Sequence, residues 1–134
     1  MTKKFNVFTA YGSDKVKERA GVPFYLDKES DCYIRIARWC GRNVEHTKAQ
    51  AELTKQIGAL PQAEQDEKRL EVFAEHLITG WNNITDADGN DLPFTTENAI
   101  NLLKQLPDLA DEVVGFCLDR NNYPLDRMDE VVKN

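Results

Sequence analysis

Cys32-Tyr33-Ile34-Arg35-Ile36-Ala37-Arg38 alternates apolar and polar positions with period two, which places Cys32, Ile34 and Ile36 on one face of a half-buried strand. Upstream, Pro23-Phe24-Tyr25-Leu26 is short and aromatic-rich, and the polar stretch Asp27-Lys28-Glu29-Ser30-Asp31 joins the two into a predicted β-hairpin. Phe5-Asn6-Val7-Phe8 is a candidate third strand. Downstream the pattern changes to the helical period. Asn43 is a candidate N-cap for a helix that runs to about Ile57 and stops at Gly58. From about Ala63 to Trp81, the residues Leu70, Phe73, Ala74, Leu77, Ile78 and Trp81 recur at i, i+3, i+4 spacing and predict a helix with one apolar face. Thr95 is placed to cap a helix over Thr96 to Gln105, and Pro107 suits the first turn of the next. In that last helix Leu109, Val113, Phe116 and Cys117 share a side, and it is expected to end near Arg120-Asn121-Asn122. A final short segment carries Leu125, Met128, Val131 and Val132. The expected class is α+β: a small N-terminal antiparallel hairpin or sheet packed on a mainly α-helical domain. No internal repeat or long linker divides the chain, so 1–134 is read as one domain.

The 134 residues carry a formal charge of −6, unevenly spread. Residues 1–50 hold ten Lys/Arg against six Asp/Glu, and residues 51–134 hold seven against seventeen, so the two parts carry +4 and −10. Surface solvation explains such a split most simply; head-to-tail self-association or docking on a basic partner is the sharper reading. An acidic protein is repelled by nucleic acid and by anionic lipid, so neither is expected as a partner. No apolar run approaches the roughly 18 residues that span a bilayer, and Met1-Thr2-Lys3-Lys4-Phe5 lacks a following signal-peptide stretch. Cys32, Cys40 and Cys117 form no CxxC pair and leave one over after any pairing, which points to reduced thiols in a cytoplasm.

Motifs for chemistry are sparse. Asp86-Ala87-Asp88-Gly89-Asn90-Asp91 resembles part of a calcium loop, with Asp88, Asn90 and Glu97 falling at the third, fifth and twelfth positions. Such a loop wants glycine sixth, where Asp91 stands; with Gly89 sixth, the first and last ligands become Ile84 and Thr95. A turn in which Gly89 supplies positive φ is the better reading, with no metal. His46 and His76 lack HxxxH or HExxH spacing and are expected to be solvated or cap-associated. Cys40 and His46 have no third orienting group, and no glycine pattern cradles a phosphate. No catalytic residue, cofactor or metal is therefore assigned. Trp81 and Phe94 bracket the Gly89 turn and are expected to pack it on the core.

From Phe73 onward the order of features is similar to the tail assembly chaperones of long-tailed, siphovirus-type bacteriophages. The residues that carry the likeness are Leu77-Ile78-Thr79-Gly80-Trp81, Ile84-Thr85-Asp86-Ala87-Asp88-Gly89, Leu92-Pro93-Phe94-Thr95 into Glu97-Asn98, Leu106-Pro107-Asp108-Leu109 and Asn121-Asn122-Tyr123. They cover about half the chain and are structural motifs. The resemblance implies a protein that coats the tape measure protein, keeps it soluble and helps bring tail tube protein to it, in the host cytoplasm and absent from the mature virion. It also implies a longer product made by translational frameshift near the gene's end, with which Val132-Lys133-Asn134 is compatible. Another morphogenesis component, such as a head-tail joining protein, and a small module that inhibits a host enzyme are the alternatives.

The family pattern assigns no contact residues, so candidates come from apolar side chains at the chain ends: Phe5, Val7, Phe8 and Tyr11, with Leu125, Met128, Val131 and Val132. Packing of these ends onto the core is the competing expectation.

Overall fold

The alternation at Cys32–Ile36 forms the middle strand of a three-stranded antiparallel sheet. The computed structural model describes residues 3–125. In chain order these are helices α1 (Val7–Tyr11) and α2 (Lys15–Ala20), strands β1 (Val22–Asp27) and β2 (Cys32–Ile36), helices α3 (Val44–Ile57) and α4 (Gln62–Leu77), strand β3 (Ile78–Asn82), helices α5 (Thr96–Gln105) and α6 (Pro107–Leu118), and a 3-10 turn at Arg120–Asn122. The class is α+β, as the two periodicities require.

The predicted hairpin is present, with Val22 opposite Ile36 and Phe24 opposite Ile34. Pro23 has no N–H to give a ladder, and β1 is an edge strand that can carry it. The third strand is a correction. Phe5–Phe8 does not pair with the sheet: Asn6 accepts a hydrogen bond from Thr9 N at 3.1 Å and starts α1. The third strand is β3, taken from the end of the apolar stretch expected to stay helical to Trp81. Ile78 and Thr79 are β-branched and Gly80 costs about 1 kcal/mol in a helix, whereas β2 offers ladder partners in Tyr33, Ile34, Arg35 and Ile36. Thr79 is bulged out of that ladder and donates its hydroxyl to Ala20 O at 2.8 Å.

α3 and α5 have the predicted bounds, and α6 ends at Leu118, a little before the expected stop. Thr95 caps α5 by accepting from Asn98 N, and Pro107 opens α6. α4 packs between α3 and α5, and α5 against α6. The core is built from Ile34 and Ile36 of β2, Phe73 and Leu77 of α4, Leu103 of α5, and Val113 and Cys117 of α6. Tyr123 is wholly buried beside them and donates its hydroxyl to Ile36 O at 3.0 Å, which ties the chain's later part to the central strand.

Candidate protein-binding surface

Among the terminal candidates, four side chains are exposed together. Phe5 is 71% exposed, Val7 55%, Phe8 88% and Tyr11 59%, and α1 buries no residue. Val16 on α2 is exposed as well, and residues 12–20 show no apolar period that would mark it in the sequence. Leu125 is half-buried next to this segment: a Cβ on Gly12 would collide with it, so glycine there permits the close approach. Met128, Val131 and Val132 lie outside the described residues. The structure thus brings Leu125 to the foot of the N-terminal candidates, and those candidates do not pack on the core.

The foot itself is firmly held. Asp14 N donates to Tyr123 O at 3.0 Å, Lys17 Nζ donates to Pro124 O at 3.0 Å, and the Arg120 guanidinium lies 4.2 Å from the centre of the Tyr11 ring. Asp14 caps α2 through Val16 N and Lys17 N. Behind it sits a buried carboxylate that the sequence did not reveal. Glu18 is 2% exposed and accepts from Ser13, Arg38, Cys40 and Arg42 at 2.6–3.4 Å. Its backbone carbonyl takes Arg38 N at 2.8 Å and Asn43 Nδ2 at 2.9 Å. Burial alone would raise the Glu18 carboxyl, but the hydrogen bonds from Arg42, Cys40 and Ser13, with the Arg42 charge, outweigh it and hold it at about 2. One side chain therefore joins α2 to the end of β2 and the start of α3. The exposed N-terminal segment is an arm on a rigid mount.

His46 is a second correction. It is 1% exposed, packed edge-on against Trp39 at 4.7 Å, and so neither solvated nor capping. Burial, with the nearby His76, lowers it to about 4 and keeps the ring neutral. The Gln50 amide lies 3.2 Å from His46 Nε2, so Cys40, which donates to Glu18, forms no pair with His46. Cys117 is buried and its thiol is pushed up to about 12 by burial, and all three cysteines are free. Among the described residues no group of three or more His, Cys, Asp or Glu side chains is placed to hold a metal ion. In the Gly89 turn, Asp86 Oδ1 accepts from Asp88 N and Asn90 N, and Gly89 has φ +84°. Trp81 and Phe94 meet edge-on at 5.2 Å beside that turn, and Trp81 Nε1 donates to Leu92 O at 2.9 Å. No helix of the described residues is long and apolar enough to cross a membrane.

One further surface has no signature in the sequence. α4, α5 and α6 leave an open groove of about 670 Å³ floored by Ala63, Leu70, Leu103, Pro107, Ala110 and Val114. Asp66, Glu67 and Asp111 stand on its rim, and Lys104 between them is paired with Glu67 at 3.2 Å and Glu71 at 2.5 Å. The molecule therefore presents an apolar arm that carries Lys3 and Lys4, and an apolar groove with Asp66, Glu67 and Asp111 on its rim.

The model of the YdaY prophage protein family matches residues 33–134. The chain belongs to that family. Its origin is thus in phage, and the matched region runs from β2 through the groove and includes the Gly89 turn. The arm and α2 lie upstream of the match, so the YdaY relationship assigns them no role. Comparison with curated proteins and with solved structures finds no match.

Proposed function

We propose that this YdaY-family chain is a phage tail assembly chaperone that binds and solubilises the tape measure protein and helps recruit tail tube protein. The observation that carries the reading is the arm: four large apolar side chains, three of them aromatic, exposed on a segment whose foot is fixed. A monomer that keeps such a patch in water does so at a cost unless the patch has a use. Prophage family membership and the order of motifs from Phe73 to Tyr123 support the same role.

The physical requirement is specific. A long helical protein awaiting encapsidation exposes apolar seams, and these aggregate unless covered. Each large apolar side chain the arm buries contributes roughly 1.5 to 3 kcal/mol, and association costs at least about 4 kcal/mol. One arm alone binds weakly. Many copies along one target bind collectively, which suits a protein that coats a filament and then leaves it. Exposed ion pairs add at most about 1 kcal/mol each and set orientation more than strength.

The test is co-expression with the tape measure protein of the same phage. The tape measure protein is expected to pass from the insoluble to the soluble fraction in a complex with many copies of this chain. A tape measure protein that stays insoluble counts against the assignment and returns the choice to a joining protein or an inhibitor of a host enzyme.

A further inference from the structure

The acidic groove across α4, α5 and α6 and the basic arm complement each other, and neither is occupied by the other within one molecule. Phe8 is 88% exposed, so the arm does not lie in its own groove. Residues 3–11 contain Lys3 and Lys4 and no acidic residue. The groove rim carries Asp66, Glu67 and Asp111, with the charge of Lys104 already met by Glu67 and Glu71. Its volume of about 670 Å³ lies within the roughly 300 to 1,000 Å³ typical of binding clefts. We propose that the arm of one copy seats in the α4–α5–α6 groove of the next, giving head-to-tail association of this chain.

Phe5 and Phe8 enter over Leu70 and Val114, and the two lysines meet the rim carboxylates. The apolar contact supplies the strength, and the charges fix which end enters. The two surfaces are different, so the interface is heterologous and either closes into a ring or continues as a filament. This also states what covers the arm before its target arrives: a neighbouring copy, which the target must displace. The inference concerns the purified chain alone and holds whatever the outside partner is.

Sedimentation of the full chain tests it. Its mass should rise with concentration above 15.3 kDa, towards multiples of that value. Two exposed-site variants separate the surfaces: Phe8→Asp disables the arm, and the double variant Ala63→Arg, Asp111→Arg disables the groove. Each should remain monomeric where the parent associates, with an unchanged circular dichroism spectrum. Mixed one to one, they should form a complex of twice 15.3 kDa and nothing larger, because only one intact arm and one intact groove remain between them. A parent that stays monomeric to roughly 1 mM, the weak end of specific association, overturns the proposal. Variants that associate like the parent place the interface elsewhere and also overturn it. A mixture of monomeric variants that fails to pair shows that an intact arm and an intact groove do not meet, with the same consequence.

Discussion

Glu18→Gln removes the charge that organises the arm's mount while keeping the side chain's size. In the parent the carboxylate faces Arg38, whose side chain is only 16% exposed, and Arg42, which is 54% exposed. Without the negative charge Arg42 can turn to water, but Arg38 is left as a buried cation with no counter-charge. Breaking one side of a buried pair costs about 3 to 5 kcal/mol, and the freedom of Arg42 sets the value near the lower figure. The depressed carboxyl points in the same direction: Arg42, Cys40 and Ser13 hold it at about 2 against an ordinary 4.5, which favours its charged form over its protonated form by about 3 kcal/mol. With a urea dependence of about 1.5 kcal/mol per M, the unfolding midpoint should fall by about 2 M. Because the folded value lies below the unfolded one, this stability is complete above about pH 4.5 and is lost as pH falls towards 2. Urea titrations followed by circular dichroism at pH 7 and pH 3 read both effects. Lys104→Ala is the contrast: it removes pairs to the exposed Glu67 and Glu71 and should cost no more than about 1 kcal/mol. A Glu18→Gln midpoint close to the parent's, or one no worse than that of Lys104→Ala, would refute the reasoning.

His46 is kept neutral by burial at about 4 against an ordinary 6.5, so between those values the unfolded chain takes up a proton that the folded chain refuses. Stability should fall by about 3 kcal/mol as pH drops from 6.5 to 4, and His46→Leu should flatten that part of a urea-midpoint profile. Trp81→Ala empties a ring site against Phe94 and orphans Leu92 O, which should cost about 3 kcal/mol in thermal unfolding; a stable variant that no longer binds a partner would make Trp81 an anchor instead. Calcium or its chelator should leave Tm unchanged, since a site filled at 100 times its dissociation constant would add about 2.7 kcal/mol, and a calcium-dependent rise would reinstate a metal at Asp86–Asp91.

What could be read from the sequence was whatever repeats at a fixed period. The β1–β2 hairpin, α5 and the start of α6 have a clean period or a cap at the right place and appear where expected; α3 also starts after Asn43, but that side chain donates to Glu18 O and Arg38 O and makes no cap. The end of α4 is hidden in the sequence because Ile78 and Trp81 satisfy the helical spacing, while the preference of Ile78-Thr79-Gly80 for a strand shows only once β2 supplies a partner. Phe5-Asn6-Val7-Phe8 offers a strand candidate in sequence, but Asn6 within it is a helix cap and starts α1 at Val7. α2 did carry a legible signal, Asp14 followed by Lys, Glu, Arg and Ala and closed by Gly21, without the apolar stripe that draws attention. The Glu18 cluster was out of reach: Ser13, Arg38, Cys40 and Arg42 surround it only after α2, β2 and α3 converge. The groove has the same origin, being made of α4, α5 and α6 residues that no local pattern unites.

The central claim, that apolar contact by the arm holds the target, is tested most directly by binding of purified chain to the tape measure protein at low and high salt, for the parent and for Val7→Asp. Val7 is exposed, so the substitution should not alter folding. Ionic attraction is screened over roughly 8 Å at physiological salt and over about 3 Å at 1 M, whereas apolar burial is not weakened. The account predicts that the parent complex survives 1 M salt and that Val7→Asp loses it at any salt, with Met128→Asp as the matching trial at the other end of the chain. A complex that dissolves in salt while Val7→Asp binds like the parent would contradict it and assign the association to the +4 and −10 division of charge along the chain.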